Sequence, residues 1–122
     1  MNILIADDDP VLRTVLEEMM RDFCPREALT VCSSGDEAIH KLQSVAQFDV
    51  VLSDYHMGKG RATGVDVLAE IEKRGLSVRF VLMTGEATKV LSYHPDIKQR
   101  CTLLSKPFET DDMLQALGIE GI

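Results

Sequence analysis

The sequence has no long hydrophobic run. Its longest uninterrupted apolar stretches are about four or five residues, far short of the ~20 that a helix needs to cross a bilayer. The first apolar run begins almost at Met1, which leaves no room for a signal peptide. We therefore expect neither a membrane span nor a membrane partner.

Cysteine and positive charge are also scarce. Cys24, Cys32 and Cys101 form no CxxC pair and leave one thiol unpaired in any disulfide scheme, which favours buried free thiols and a reducing, cytoplasmic location. The formal net charge of −7 disfavours direct binding of nucleic acid, because counterion release needs clustered lysine and arginine. The sequence also lacks repeats, coiled-coil heptads and low-complexity tracts.

The residues that are present suffice for one folded domain. Of the 122 residues, 45% are hydrophobic, and we expect residues 1–122 to form a single domain with no effector domain visible. Short apolar runs bounded by polar residues predict five strands. These strands cover residues 3–6, 28–32, 49–53, 78–83 and 101–105.

The spacing of apolar residues after the first strand predicts a helix over residues 10–23. Pro10 can open a helix, and a stripe of apolar side chains at helical spacing follows it. Its members are Val11, Leu12, Val15, Leu16, Met19, Met20 and Phe23.

Further helices are predicted between the later strands, about five in all. Capping residues at 33–37 begin the second helix, and Gly75 and Gly118 are expected to end the third and the last. Pro95 predicts a short or broken helix within 86–100. Alternating strands and helices of this length imply an α/β fold, a doubly wound parallel sheet covered on both faces.

Four of the predicted strands end at residues that handle phosphate or metal ions. Because the carboxyl ends of parallel strands share one edge of a sheet, we expect these side chains to converge. Crowded carboxylates repel one another unless a cation lies between them. Mg²⁺ prefers such oxygen ligands, which Asp8 and Asp54 can supply. The endings are Asp7, Asp8 and Asp9 after the first strand, then Asp54, Thr84 and Lys106.

A carboxylate beside Mg²⁺ can also attack a phosphoryl group and form an aspartyl phosphate. The three phosphoryl oxygens then need stabilisation, by the metal, the Thr84 hydroxyl and the Lys106 ammonium. Taken singly, these residues have ordinary explanations, as a helix cap, a turn or a solvated lysine. Their joint occurrence, each after an apolar run, favours a phosphoryl site.

Four motifs, ILIADDDP, VVLSDYHM, VLMTGEA and LLSKPF, resemble those of the receiver domain of two-component response regulators. The resemblance spans essentially the whole chain. It implies a flavodoxin-like fold with a five-stranded parallel sheet in the order 2-1-3-4-5. It also implies a phosphorylation-dependent switch in a phosphorelay, which changes the binding of an unknown downstream protein partner and is not an enzyme beyond Mg²⁺-dependent self-phosphorylation and slow self-dephosphorylation.

The resemblance also implies a role for each site residue. Asp54 corresponds to the phosphoacceptor, which receives its phosphoryl group from a histidine kinase or phosphotransfer protein. Asp8 corresponds to a direct Mg²⁺ ligand, Asp7 to an acid that assists through water, and His56 to the residue whose backbone carbonyl is the third protein ligand. Thr84 and Lys106 correspond to the residues that contact the phosphoryl group.

The loop after Asp54 departs from the family pattern. Met57 is followed by Gly58 where the family usually has proline, and the segment as far as Gly64 holds about two extra residues and is rich in glycine. One hypothesis is that Lys59 or Arg61 approaches the phosphoryl group or the acidic surface of a kinase.

Three other positions bear on the signal. His56 and Glu86 lie where side chains of the family tune the loss of the phosphoryl group, and each can orient or exclude the attacking water. Leu103 stands where the family often has an aromatic residue that moves on activation. A two-state change biased by the phosphoryl group is still expected.

The strongest alternative is an enzyme. Residues 7–11 also fit the DxDx(T/V) signature of haloacid-dehalogenase-type phosphatases, with Asp7 as nucleophile and Asp9 as general acid. Against this, Asp111 and Asp112 fit the start of the last helix better than a metal site, and Asp54 would have no required role.

The same residues bear on two further alternatives. A receiver-like interaction module that is never phosphorylated usually lacks one of the key groups that this chain keeps. A flavodoxin is disfavoured because no phosphate loop rich in Ser, Thr and Gly follows the first strand.

Overall fold

Parallel strand pairing organises the chain, of which the computed structural model describes residues 1–44, 47–58 and 62–119. Five strands form one sheet in the order β2-β1-β3-β4-β5, and every pairing is parallel. The predicted topology is therefore confirmed. The strands are β1 (Ile3–Ala6), β2 (Leu29–Cys32), β3 (Val50–Asp54), β4 (Arg79–Thr84) and β5 (Thr102–Ser105).

Helices cover both faces of this sheet. One apolar cluster joins Leu4 and Ala6 of β1 to α2, α3, α4 and α5, and a second joins Ile3 and Ile5 to α1 and α6. Within the described ranges, no helix is long and apolar enough to span a membrane. The helices are α1 (Pro10–Met20), α2 (Gly35–Leu42), α3 (Gly64–Arg74), α4 (Ala87–Tyr93), α5 (Ile97–Arg100) and α6 (Thr110–Leu117).

Three helix ends follow the sequence signals, namely the start of α1 and the ends of α3 and α6. The Asp9 carboxylate caps α1 by accepting a hydrogen bond from the backbone N–H of Val11 at 2.9 Å. Gly75 and Gly118 end α3 and α6 with φ values of 62° and 77°, a left-handed conformation that side chains disfavour and glycine adopts freely. Both predicted helix ends are confirmed.

The prediction for α1 was wrong in its end, and the apolar stripe of the helix is buried only in part. The helix ends at Met20 rather than at residue 23, and Ala28 belongs to a 3₁₀ turn (Arg26–Ala28) rather than to β2. Leu16 and Met20 are fully buried, whereas Val11 and Val15 are 71% and 40% exposed. The sheet covers only the part of the stripe that faces it, so the remainder forms an apolar surface.

The strand ends shift by one residue at the two positions that matter most for chemistry. Asp54 is the last residue of β3 and Thr84 the last of β4, whereas the sequence prediction placed both just beyond their strands. Their backbones are therefore fixed by the sheet rather than by a loop.

The fourth crossover is broken, as predicted, and there are six helices in the described residues rather than about five. Residues 94–96 separate α4 from α5, because the residue before a proline is disfavoured in helical conformation, and His94 has φ −133° and ψ 76°. The Arg100 guanidinium holds α5 against α3 through two hydrogen bonds to the Glu72 carboxylate, at 2.6 and 2.9 Å.

The three cysteines are free thiols, as expected. Cys24 and Cys32 are buried and Cys101 is half-buried. Burial raises the pKa of Cys32 to about 12 and that of Cys101 to about 11, so both stay protonated and unreactive at neutral pH.

The burial pattern of α1 predicts a sharp contrast between two of its side chains. Leu16→Ala should lower the free energy of unfolding by about 2 to 5 kcal/mol, because it leaves a cavity under the helix. Val11→Ala, in the same helix, should change it by less than about 0.5 kcal/mol. Urea denaturation of both variants measures the difference, and equal losses would contradict this orientation of α1.

Candidate functional site

Two carboxylates lie side by side at the carboxyl edge of the sheet. The β1–β3 register pairs Ala6 with Ser53, so the residues that follow them, Asp7 and Asp54, are neighbours across the strands. Both are buried, with 0% and 9% of their surface exposed. One Asp7 oxygen, Oδ1, accepts a hydrogen bond from the Asp9 N–H at 2.9 Å, while the other, Oδ2, is buried without a hydrogen-bond partner.

Asp8 joins these two residues in an acidic cluster. Ligand oxygens of Asp7, Asp8 and Asp54 all lie within 4.8 Å of one another, and the side chain of Asp8 faces solvent. Carboxylates at this spacing, one of them open to water, suit a hard divalent cation that keeps several water ligands. Asp7 Oδ2, which is buried without a hydrogen bond, gives the same indication, because a buried anionic oxygen is costly when its polar contacts are incomplete.

Lys106 supplies the positive charge that the described residues bring to this cluster. Its ammonium donates a hydrogen bond to Asp54 Oδ1 at 3.0 Å and lies 3.6 Å from Asp7 Oδ2. Its position follows from the sheet, since the β4–β5 register pairs Thr84 with Ser105 and the Lys106 N–H donates to the Thr84 carbonyl at 2.8 Å.

Burial raises the pKa of both buried carboxyls above their usual range. For Asp54, burial is the largest cause and the neighbouring charge of Asp7 adds to it, while Lys106 opposes both. For Asp7, burial is again the largest cause, opposed first by the Asp9 N–H and then by Lys106. One ammonium therefore does not compensate fully for two buried carboxylates, and a further cation would be stabilised here.

The predicted hydroxyl lies on the neighbouring strand. Thr84 is buried, and its Oγ1 accepts a hydrogen bond from the Glu86 N–H at 2.9 Å, which leaves the hydroxyl proton available to a third group. Glu86 itself is exposed and lies 3.4 Å from the Lys89 ammonium. The side chain of His56 is also exposed, and the role of its carbonyl as a ligand stays a prediction.

The backbone beside Asp54 is held tightly by contacts that sequence analysis did not identify. The Tyr55 N–H donates to Asp54 Oδ1 at 3.0 Å and to the Met83 carbonyl at 2.9 Å, while the Tyr55 carbonyl accepts from the Gly64 N–H at 3.0 Å. A Cβ at Gly64 would lie 2.5 Å from the Asp54 carbonyl oxygen. Only glycine permits this approach.

Arg13 also escaped sequence analysis. Its guanidinium donates to the Asp7 carbonyl at 2.8 Å and so ties the first turns of α1 to the end of β1. A lone arginine on a helix carries no local signal of such a contact.

The departure at Gly58 has a backbone explanation. Gly58 has φ 93°, whereas a proline ring holds φ near −65°, so the family's usual proline cannot occupy this conformation. The hypothesis that Lys59 or Arg61 contacts the phosphoryl group or a kinase concerns residues that lie outside the described ranges.

An apolar groove of about 340 Å³ lies beside the site. The exposed side of α1 forms one wall, and the segment that begins at Lys106 forms the other. The lining residues are Leu12, Val15, Met19, Lys106, Pro107 and Phe108.

Comparison with known proteins agrees with this geometry. The model of the response regulator receiver domain family matches residues 3–118. The chain belongs to this family. Receiver domains are signalling domains rather than classical enzymes, and they act as phosphorylation-dependent switches.

Similar proteins come from several bacteria. The DNA-binding transcriptional regulator NtrC of a Bradyrhizobium strain is 27% identical over 96% of this chain, and the chain spans 23% of that regulator's length. The chemotaxis protein CheY of Listeria monocytogenes is 26% identical over 96% of this chain and 95% of its own. The crystal structure of a receiver protein from Sinorhizobium medicae superposes with a TM-score of 0.81 at 27% identity, covering 97% of this chain and 91% of that one.

Two general properties of the family bear on this receiver domain. Receiver domains generally bind Mg²⁺ at an acidic aspartate cluster, and this chain has such a cluster in Asp7, Asp8 and Asp54. They also interact with histidine kinases or phosphotransfer proteins and with downstream effectors.

The raised pKa of Asp7 predicts that Asp7→Asn stabilises the metal-free protein at neutral pH. A carboxyl whose pKa is raised by folding costs stability above that folded pKa, and the cost disappears as the pH falls toward the unfolded value of about 3.9. The gain should be roughly 1 to 3 kcal/mol at neutral pH, the cost of an unsatisfied buried group, and should vanish below about pH 4.

Urea denaturation across this pH range, with a chelator present, measures the effect. Asp111→Asn, at an exposed position in α6, is the matched control and should show no such gain. Equal stabilities of wild type and Asp7→Asn at neutral pH would contradict the inferred cost of burying Asp7.

Proposed function

We propose that this receiver domain accepts a phosphoryl group on Asp54. The observation that carries the proposal is the Asp54 carboxylate itself, which is buried, grouped with Asp7 and Asp8, and hydrogen-bonded to the Lys106 ammonium at 3.0 Å. Asp8, Asp54 and the His56 backbone carbonyl would hold Mg²⁺ directly, and Asp7 would assist through water. The raised pKa of Asp7 and Asp54 and the Asp7 oxygen that is buried without a hydrogen bond support this set of ligands.

The transfer needs little movement of these groups. A carboxylate oxygen of Asp54 forms a bond to phosphorus while the bond from phosphorus to the donor's histidine nitrogen breaks, and that nitrogen leaves with its electron pair. The Lys106 ammonium passes from the Asp54 carboxylate to a phosphoryl oxygen, and the Thr84 hydroxyl donates its free proton to another. Mg²⁺, when bound, supplies positive charge to the third oxygen.

Arrangement of the acids also bears on the phosphatase alternative. Asp9, which would be the general acid of a haloacid-dehalogenase-type phosphatase, uses its carboxylate to cap α1. Lys106 contacts both Asp7 and Asp54, but its hydrogen bond goes to Asp54, at 3.0 Å against 3.6 Å to Asp7. This geometry supports Asp54 as the nucleophile rather than Asp7.

The phosphodonor is a histidine kinase or a histidine-containing phosphotransfer protein, and we propose that it docks on the groove beside Lys106. When the phosphohistidine of the donor reaches Asp54, the donor residues around it contact the surface of the receiver domain next to the site. The groove there is apolar, and Val15 on its wall is 40% exposed. An amphipathic helix of the donor would bury this surface.

The same proposal covers the extent and location of the domain, its reaction with small donors and its effect on a partner. Residues 1–122 act as one receiver domain in the cytoplasm, phosphorylate themselves from small donors with Mg²⁺ and lose the phosphoryl group slowly. Phosphorylation changes the binding of a downstream protein, without direct contact to nucleic acid or membrane. The net charge of −7 supports the absence of direct contact with nucleic acid.

Intact-mass measurement tests the phosphoacceptor. With Mg²⁺ and acetyl phosphate, the wild type should gain the mass of one phosphoryl group, because the Asp54 oxygen displaces acetate at phosphorus. The gain should require the metal and disappear in Asp54→Asn. Asp111→Asn, which removes an exposed carboxylate, should keep it.

Other outcomes of this experiment are equally informative. A gain that persists in Asp54→Asn places the phosphoryl group elsewhere and contradicts the proposal. No gain from acetyl phosphate or from any phosphorylated phosphotransfer protein favours an interaction module that is never phosphorylated.

The docking groove has its own prediction. Val15→Glu should slow phosphoryl transfer from a phosphotransfer protein that phosphorylates the wild type by about tenfold or more, because a charge in a buried apolar contact costs at least 1 to 3 kcal/mol. The rate at which acetyl phosphate phosphorylates the Val15→Glu variant should equal that of wild type, since the small donor needs no docking surface.

Leu76→Glu is the matched control for this substitution. Leu76 is 39% exposed, close to the 40% of Val15, but it follows α3 at the opposite edge of the sheet. Equal effects of the two variants on transfer between proteins would remove the groove as the docking surface.

A further inference from the structure

A hydrogen bond between Tyr55 and His94 has no role in the phosphoryl chemistry proposed above. The Tyr55 hydroxyl and His94 Nε2 are 3.2 Å apart, and the two rings meet edge to face with centroids 5.8 Å apart. Tyr55 directly follows Asp54, whereas His94 ends α4, 39 residues later in the chain. The contact therefore joins the proposed phosphorylation site to the break between α4 and α5.

The Tyr55 end of this contact cannot move freely. Its N–H is shared between Asp54 and Met83, and its carbonyl is bound by the Gly64 N–H. The ring packs against the apolar cluster beneath α4 and against the edge of the His56 ring, with centroids 4.7 Å apart. Tyr55 is thus a fixed anchor beside Asp54.

The α4 end is held more weakly. Of the seven residues of α4, Val90 is the fully buried one and Leu91 packs half-buried against the same apolar cluster, so two large apolar side chains hold this helix against the core. Polar contacts with the site attach it at both ends. At its start, the Glu86 N–H donates to Thr84 Oγ1 at 2.9 Å, and at its end His94 meets Tyr55.

These two attachments respond differently to a phosphoryl group on Asp54. Contact between the Thr84 hydroxyl and a phosphoryl oxygen draws Thr84, and with it the Glu86 N–H and the first turn of α4, toward Asp54. Tyr55 cannot follow, because its backbone is bound on both sides. Movement of α4 therefore strains the hydrogen bond between His94 and Tyr55.

We propose that the hydrogen bond between Tyr55 and His94 is a latch that holds α4 in its unphosphorylated position and is released when Asp54 is phosphorylated. This inference rests on the proposed phosphorylation of Asp54. Tyr55 and His94 are positioning residues, since they act on the phosphoryl group through α4 and Thr84. Because such coupling is reciprocal, a latch that opposes phosphorylation must, when removed, favour binding of the phosphoryl group.

The test uses the full chain, excess Mg²⁺ and beryllofluoride as a mimic of the phosphoryl group. Tyr55→Phe removes the hydroxyl and keeps the ring, so it should bind beryllofluoride about two- to tenfold more tightly than wild type, the range for one net hydrogen bond. Without Mg²⁺ and beryllofluoride, the amide hydrogens of α4 should exchange faster in this variant. Titration calorimetry and hydrogen exchange measure the two effects.

Three further variants sharpen the comparison. Tyr93→Phe removes a hydroxyl next to His94 that is on a 65% exposed side chain, and it should bind like wild type. His94→Leu should tighten binding as Tyr55→Phe does. The double variant Tyr55→Phe/His94→Leu should be no tighter than either single variant, because both substitutions break the same hydrogen bond.

The sign of the effect separates a latch from mere structural damage, which would weaken binding. If wild type binds beryllofluoride and Tyr55→Phe binds it equally or less tightly, the latch is overturned and the proposed function stands. An equal gain in Tyr93→Phe also overturns it. If wild type does not bind beryllofluoride with Mg²⁺, the proposed function fails and the latch with it.

Discussion

The structure depends on two buried carboxylates that parallel pairing of β1 and β3 places side by side. Asp7 and Asp54 would repel each other at any distance the sheet allows, and burial removes the water that would screen them. Lys106 lies between them but contributes a single positive charge. The fold thus holds a site that needs additional positive charge, and that need explains why a metal and a ligand with several oxygens would bind there together.

The same strand ends connect this site to two separate surfaces. Lys106 begins the segment that forms one wall of the apolar groove, so the residue that contacts Asp54 also borders the proposed docking surface for a phosphodonor. Thr84 begins the connection to α4, on the opposite face of the sheet from α1. A donor that covers the groove therefore leaves α4 exposed, and phosphorylation and its readout can occur on different sides of the molecule.

Sequence reasoning reached the fold and the members of the site because both depend on local patterns. Apolar runs of strand length identify the strands, and the residues that follow them are Asp7, Asp54, Thr84 and Lys106. Parallel topology places these four residues at one edge of the sheet. Sequence reasoning placed the end of α1 too late, and periodicity, which marks every apolar position of the helix, cannot show how much of the helix the sheet covers. The contacts of the Arg13 guanidinium and of the Tyr55 hydroxyl were out of reach, because they depend on side-chain positions that no spacing encodes.

The residue at position 103 limits how a signal can leave the site. Leu103 is half-buried against the apolar cluster under α4, and a leucine side chain can neither donate nor accept a hydrogen bond. It cannot form a hydrogen bond with the Thr84 hydroxyl, so its position does not depend on the orientation of that hydroxyl through a polar contact. The hydrogen bonds of Glu86 and His94 do connect α4 to residues that adjoin Asp54. A change at Asp54 therefore has a polar route to α4, whereas Leu103 can respond only through packing.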